Sequence, residues 1–197
     1  MQPIEDVLKR PIADSPRTRD YQARVDESVR HDLAGFDSER GLVVPEGEPP
    51  RFSPEEITLF DWEERRRMWR SEDQNWRWYY TQGRSSAAAI GRMAFCYSRE
   101  GSSFHRDETL ARCIRNGFRA YGERQLESGE FAFCPVRYAD TLGMHETAWR
   151  LEPLIYAYVW AGDMLPGDEQ AAAKEMLERS CAHLLANPNE EFCNRGC

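Results

Sequence analysis

The feature that most constrains the fold is an alternation of two kinds of helical segment, which repeats about every sixty residues. Segments 84–97 and 146–161 are apolar on nearly every side, whereas segments 107–126 and 168–186 each carry one apolar stripe. A helix that is apolar all round must be enclosed by protein, while a striped helix can face water. The order inner, outer, inner, outer therefore predicts an all-α fold, an α/α array of helical hairpins that forms part of a solenoid or toroid.

The first part of the chain has a different character. Residues 1–52 are polar and rich in proline, and we interpret them as an N-terminal arm and linker. Apolar residues spaced along 19–33 predict one helix within this arm. The stretch 41–52 contains several prolines and glycines, which are typical of an extended linker.

The α/α toroid segment is predicted to cover residues 53–197. Ser53, followed by Pro54 and two glutamates, has the pattern of a helix start, and we expect that helix to run to about Arg70. A solenoid normally ends in an atypical capping element, and the last residues before Cys197 show none. This favours a segment that is truncated at its C-terminus.

Composition and charge narrow the classes of partner. The net charge of −8 disfavours a nucleic-acid-binding protein. No apolar run approaches the roughly 18 residues needed to span a membrane, and the N-terminus has no apolar leader region. We therefore expect no nucleic acid or membrane as a partner and a cytoplasmic location, with secretion left open if a leader has been removed. The oligomeric state stays open.

The first candidate site is the sequence Asn-Trp-Arg-Trp-Tyr-Tyr at 75–80, just before the first inner helix. Asn75, Trp76 and Trp78 are the residues that we assign to substrate binding. Flat aromatic rings pack on the apolar faces of sugars, while nearby polar groups bind hydroxyl and acid groups. The alternative is that these rings close the end of the helical core.

A second cluster lies at the start of the second inner helix and brings together a cation, a phenol, an imidazole, carboxylates and an indole: Arg137, Tyr138, Asp140, His145, Glu146 and Trp149. Histidine and tyrosine transfer protons near neutral pH when their surroundings tune them. The alternative is an ordinary helix start, where an acidic residue is favoured by the helix dipole.

The third candidate is Asn194-Arg195 near the end of the chain. An amide can hydrogen-bond a carboxylic acid and support the charge that develops on it, although Asn followed by Gly is also typical of a turn. No metal and no cofactor are predicted. The chain has no phosphate-binding glycine motif, and no standard zinc pattern is matched by the spacing of Cys181, His183, Cys193 and Cys197.

On these residues the chain resembles the α/α-toroid carbohydrate enzymes, in particular the polysaccharide lyases related to chondroitin/hyaluronan lyase and to heparinase II/III. The resemblance rests on Asn75-Trp76, the small-residue helix 84–97, the aromatic-rich helix 146–161 and Asn194-Arg195. It covers about residues 70–197, and its motifs are short.

The resemblance implies β-elimination on a uronic-acid-containing polysaccharide or oligosaccharide. Asn194 would then neutralise the substrate carboxylate, with help from Arg195 or Arg137. His145 and Tyr138 would serve as base and acid. The sugar subsites would be lined by Trp76, Trp78 and Trp149, next to Asn75 and Glu146.

Two other functions stay open. A toroidal glycoside hydrolase would use a pair of carboxylates, for which Glu130, Asp140 and Glu146 are available. A non-catalytic α-helical repeat module would bind a glycan or protein with Trp76 and Trp78 as anchors.

For an acidic glycan, the negative net charge requires a locally basic groove. We therefore expect four arginines to gather in one groove: Arg77, Arg84, Arg92 and Arg137.

Overall fold

The computed structural model describes residues 10, 13–49, 51, 76–133 and 140–186, with 76–77 and 140–146 described as helical backbone. These residues are mostly helical, as the sequence predicts. In chain order their elements are α1 (Pro16–Ala34), β1 (Phe36–Asp37), β2 (Leu42–Val43), α2 (Trp76–Ser98), α3 (Glu108–Glu123), α4 (Asp140–Ala161), a 3-10 turn (Gly162–Met164) and α5 (Gly167–Ala186).

Helices α2 and α4 run parallel through the centre of the described structure. Arg84, near the start of α2, lies over Trp149 of α4, and Phe95, near the end of α2, contacts Trp160. Between these two contacts the helices approach closely, because α2 has Gly91 where a Cβ would lie 3.2 Å from the Cβ of a proline in α4. The core residues that the two helices supply include Ala87, Ile90, Met93, Ala94, Cys96, Leu151, Leu154 and Ala157.

Helices α3 and α5 lie outside this pair, and each buries one stripe of residues at helical spacing, as predicted. The stripes include Leu110, Cys113, Ile114 and Phe118 on α3, and Ala173, Met176, Leu177 and Ser180 on α5. The two helices are joined near the start of α5 by an ion pair between Arg115 and Glu169. Further along, Gln125, just beyond α3, donates a hydrogen bond of 2.7 Å to the backbone oxygen of Met176. Helices α3 and α5 are therefore also parallel.

Each outer helix returns alongside the inner helix that precedes it. Tyr121, in the last turn of α3, donates a hydrogen bond to the backbone oxygen of Gly83, near the start of α2. Gly117 lies against the side chain of Ile90, further along α2. Helices α2 and α3 are therefore antiparallel neighbours that form one hairpin.

Helix α1 begins at a well-formed cap. The Ser15 hydroxyl accepts a hydrogen bond from the backbone N–H of Thr18, and Pro16 occupies the first turn. The helix buries Val29 and the carboxylate of Asp26. This carboxylate accepts a hydrogen bond of 2.7 Å from the Ser102 hydroxyl, in the turn between α2 and α3.

A two-stranded antiparallel hairpin packs on α2 and α3, and its second strand, Leu42–Val43, lies at the start of the stretch 41–52 that the sequence predicts as a linker. Its turn brings Gly41 (φ 70°) against the backbone of Asn116, and Leu42 is only 2 % exposed. The backbone N–H of Val43 donates a bond of 2.8 Å to the hydroxyl of Ser86 in α2. Helix α1 and the hairpin therefore belong to the packed structure.

The helix boundaries correct two further expectations. The second inner helix begins at Asp140 and not at 146, so Pro153 lies well inside it. The first inner helix begins at Trp76 and not at 84, so the aromatic segment belongs to the helix itself. The helix predicted from Ser53 lies outside the described residues. No helix in the described ranges is both long and apolar enough to cross a lipid bilayer.

Candidate functional site

A pocket of about 560 Å³ opens between the end of α1, strand β2 and the first half of α2. Its volume falls within the roughly 300–1,000 Å³ that is usual for small-ligand sites. From α2 come Tyr80, Arg84 and Arg92, of which Tyr80 and Arg84 are four residues apart and therefore neighbours on one helix face. From the end of α1 come His31 and Asp32.

Arg84 is held in place by two aromatic side chains. Its guanidinium lies over the indole of Trp149, 4.1 Å from the ring centroid. It also donates a hydrogen bond of 3.0 Å to the hydroxyl of Tyr80. Stacking on an aromatic ring and the Tyr80 bond both orient the planar group. Among the described residues Arg84 has no carboxylate partner, so its positive charge is available to an anion in the pocket.

Arg92 has a different role in the same pocket. Its guanidinium donates two hydrogen bonds to the Asp32 carboxylate, with Nε–Oδ2 at 2.7 Å and Nη2–Oδ1 at 2.8 Å. The Asp32 side chain is only 12 % exposed. This two-pronged ion pair compensates the charge of Arg92 and joins α1 to α2. Arg84 thus differs from Arg92, because it has no carboxylate partner among the described residues.

Of the four arginines that we expect in a basic groove, the structure describes the side chains of two. Arg84 and Arg92 line one pocket, although the charge of Arg92 is neutralised. The side chain of Arg77 lies outside the described residues, and so does Arg137.

Of the predicted site residues, the structure describes the side chains of Trp78 and Trp149. Trp149 is 43 % exposed and contacts Arg84. Trp78 donates a hydrogen bond of 3.3 Å from its indole N–H to the backbone oxygen of Gly47, and it contacts the ring of Tyr79 edge-on. The contacts described for Trp78 thus involve the segment after β2, and those for Trp149 involve the pocket arginine.

The remaining predicted residues fall into two groups. Trp76 begins α2, and His145 and Glu146 lie in the first half of α4, where only the backbone is described. The others lie outside the described residues: Asn75, Arg137, Tyr138, Asn194 and Arg195.

Glu130, one of the carboxylates proposed for a hydrolase, lies against α5. It accepts a hydrogen bond of 2.9 Å from the Ser128 hydroxyl, and its Oε1 is 3.8 Å from Nε2 of His183. Its side chain is 18 % exposed. These contacts are those of a residue that holds the loop after α3 against α5. The side chains of Asp140 and Glu146 are not among those described.

The sequence alone does not assign the polar pocket residues Tyr80, His31 and Asp32 to a site. Tyr80 was included only as one aromatic ring of the 75–80 segment, although its spacing of four from Arg84 is visible in the sequence. No sequence pattern points to His31 and Asp32 as site residues, because only the packing of α1 against α2 brings them to the pocket.

Within the described ranges no group of three or more His, Cys, Asp or Glu side chains is arranged to hold a metal ion. Comparisons with protein-family models, curated proteins and solved structures find no match for this chain.

Proposed function

We propose that this chain belongs to an α/α-toroid enzyme that binds a uronic-acid-containing polysaccharide and cleaves it by β-elimination. One observation carries the proposal: Arg84 is oriented by Trp149 and Tyr80, lines a pocket, and has no carboxylate partner among the described residues. The parallel pair α2 and α4, backed by the parallel pair α3 and α5, supports the toroid arrangement.

The combination of groups suits an acidic sugar. A guanidinium binds a carboxylate through two parallel hydrogen bonds, and Arg84 is already oriented for this by its contacts. The exposed face of Trp149 can pack on the apolar face of a sugar ring beside it. Hydroxyl groups of the sugar have Ser85 and Thr81 as partners at the wall of the pocket.

In the elimination, a base removes the proton at C5 of the uronate, and the electron pair of that bond forms the C4–C5 double bond. The bond from C4 to the glycosidic oxygen breaks, and the departing oxygen takes up a proton from an acid. Arg84 would neutralise the carboxylate and so stabilise the charge that develops when the C5 proton leaves. Tyr80 and His31 line the pocket and are proton-transfer groups by type. His145 and Tyr138 remain the other candidates for base and acid, and Asn194 for a second carboxylate contact.

The test is an ultraviolet scan for unsaturated uronate products. The protein is incubated with hyaluronan, chondroitin, heparan, alginate, pectin and ulvan, and we expect new absorbance with one of them. Arg84→Ala should lower kcat/KM on that substrate by about 100-fold or more, as is typical when a group that stabilises developing charge is lost. Arg119→Ala is the matched control, because Arg119 is an exposed arginine on α3, and it should leave the rate unchanged.

The same assays separate the other functions. New reducing ends without unsaturation would overturn the lyase mechanism and favour the hydrolase. Binding of one polymer without either product would favour the non-catalytic module. Unsaturated product with an unchanged rate in Arg84→Ala would contradict the role given to Arg84.

A further inference from the structure

The pocket at the end of α1 has a second polar group besides Arg84, which is the ion pair of Asp32 and Arg92. Both side chains of this pair line the pocket. The side chain of Asp32 is 12 % exposed and that of Arg92 is 39 % exposed, so solvent reaches both partners. We call these two residues the Asp32–Arg92 pair. A ligand in the pocket can therefore contact the pair as well as Arg84.

The ion pair uses only some of the donors and acceptors of its two side chains. Each oxygen of the Asp32 carboxylate accepts one hydrogen bond from Arg92. A carboxylate oxygen can accept more than one hydrogen bond, and a guanidinium has more N–H donors than the two used here. The pair therefore keeps acceptor positions on Asp32 and donors on Arg92 for a ligand. Acceptors and donors side by side suit hydroxyl groups, because a hydroxyl both donates and accepts hydrogen bonds.

The Asp32–Arg92 pair and Arg84 occupy different positions in the same pocket. Arg84 and Arg92 are eight residues apart on α2, which corresponds to about 12 Å along the helix axis. Ala88, four residues from each of them, also lines the pocket, and its side chain is short. The pocket thus offers an anion site and a hydroxyl site to the two sides of one ligand.

The charge of the pocket favours a ligand with a single acid group. Among the described residues the lining has two guanidinium groups and one carboxylate, so one positive charge remains when His31 is counted as neutral. A second anionic group at the pair, such as a sulfate ester, would face the Asp32 carboxylate and could accept hydrogen bonds only from Arg92. Charge and hydrogen bonding together therefore suit a hydroxy acid that carries one negative charge.

We propose that the Asp32–Arg92 pair is a hydroxyl-recognition site that makes the pocket specific for one uronate sugar with free hydroxyl groups. Arg84 binds the carboxylate of this sugar, and the pair binds two neighbouring hydroxyls of its ring. A sugar with a sulfate or alkyl group on those hydroxyls is excluded. The ligand class rests on the proposed function, whereas the role of the pair can be tested by binding alone.

The test is an NMR titration of the isotope-labelled protein, followed through the backbone N–H signals of Gly35, Val43 and Ser85 at the pocket wall. The probes are the methyl glycosides of D-glucuronate and D-galacturonate, each compared with its tri-O-methyl ether and its uronamide. The ether keeps the acid and loses the hydroxyls, and the uronamide does the reverse. We expect at least one parent sugar to bind with a Kd of about 1–10 mM. Both of its derivatives should bind about 10-fold more weakly or worse, because each loses hydrogen bonds to charged groups.

Two variants assign the two sides of the ligand. Arg84→Ala should bind the parent sugar no better than its uronamide. Asp32→Asn should reduce the preference for the free hydroxyls about 5-fold or more and keep the preference for the acid, because an amide replaces one acceptor oxygen by a donor. Asp20→Asn is the matched control, since Asp20 also forms an ion pair from α1, with Arg24, but is 61 % exposed and does not line the pocket. If Asp32→Asn does not fold, the ligand series on the unaltered protein still decides.

The outcomes separate this site from the proposed reaction. Equal affinity for a parent sugar and its tri-O-methyl ether, an unchanged hydroxyl preference in folded Asp32→Asn, or no binding of either sugar overturns the hydroxyl site. If unsaturated product nevertheless forms in the ultraviolet scan, the lyase stands without it. A hydroxyl preference that depends on Asp32, without unsaturated product, supports the hydroxyl site and contradicts β-elimination.

Discussion

The guanidinium of Arg92 donates one hydrogen bond to each oxygen of the Asp32 carboxylate, and this contact joins the end of α1 to the middle of α2. Because a lysine offers a point charge and no fork, Arg92→Lys should lower the free energy of unfolding by about 1 kcal/mol. Urea unfolding measures the change. Arg40→Lys is the control, since the Arg40–Asp37 pair is 3.5 Å long with Arg40 80 % exposed, and it should change little. Equal effects of the two substitutions would contradict this role.

The turn of the β-hairpin should be intolerant of any side chain at Gly41. A Cβ there would lie 2.2 Å from the backbone carbonyl of Asn116, and the φ of 70° adds strain. Gly41→Ala should therefore cost about 3 kcal/mol or more. Gly47→Ala is a matched control, because its φ is 81° but nothing lies within 4 Å of the added Cβ. It should cost only the strain, about 1 kcal/mol, in the same thermal or urea unfolding experiment.

The buried carboxylate of Asp26 should make stability depend on pH in the acid range. Burial opposes ionisation, but hydrogen bonds from the Ser103 backbone, Ser102 and Gln22 outweigh it and lower the pKa of Asp26 from 3.8 to about 2. The unfolded chain therefore binds this proton more readily than the folded one. The resulting stability is fully present above about pH 5 and is lost as the pH falls through 4 towards 2.

This contribution amounts to about 2 kcal/mol at neutral pH. Asp26→Asn removes the charge and should unfold at lower urea concentration than the parent at pH 7. The difference between the two proteins should shrink as the pH falls below 4. A difference that stays constant from pH 7 to pH 3 would contradict the assigned cause.

Two cysteines should resist alkylation in the folded protein. Burial raises the pKa of Cys96 to about 12 and that of Cys113 to about 11, and both residues are fully buried. Their reactive thiolate is therefore scarce and inaccessible at pH 8. Iodoacetamide labelling followed by peptide mass spectrometry should show both unmodified until urea unfolds the chain, whereas the partly exposed Cys181 should react earlier. Early labelling of Cys113 would refute this packing.

Trp149 should matter for ligand affinity more than for stability. Its indole is 43 % exposed and orients Arg84, so Trp149→Ala should change the free energy of unfolding by less than about 1 kcal/mol. The same variant should weaken binding of the polysaccharide identified in the product scan by about 5- to 30-fold, through loss of one ring contact and of the oriented guanidinium. Trp149→Phe should recover part of the affinity. Titration of the three proteins with that polymer decides the point.

The helices could be predicted because the periodicity of apolar residues that produces them lies within each segment of the sequence. The apolar residues of 84–97 recur on every side, and those of 107–126 recur on one stripe, so burial could be read before the fold was known. The hairpin could not be predicted, because strands of two residues have no periodicity. Its position is fixed by Gly41 fitting against the backbone of Asn116, a contact between residues far apart in sequence.

Only part of the candidate site could be predicted, because its residues come from segments that are far apart in the sequence. Trp149 and Arg84 were each named from the sequence, but their stacking joins two helices, and no local pattern reports it. Asp32 has no local signature in the sequence, because its role depends on the docking of α1 onto Arg92. Local pattern thus predicted which helices would be buried, and long-range packing decided which side chains meet.

The bonds of Asp26 to the turn between α2 and α3 have a consequence for the order of folding. Ser102 and Ser103 supply the donors, and they lie more than seventy residues further along the chain than Asp26. Until α2 and α3 have formed their turn, the partners of this carboxylate do not exist as a site. We therefore expect α1 to dock after α2 and α3 have formed, with its long loop closing late and slowly.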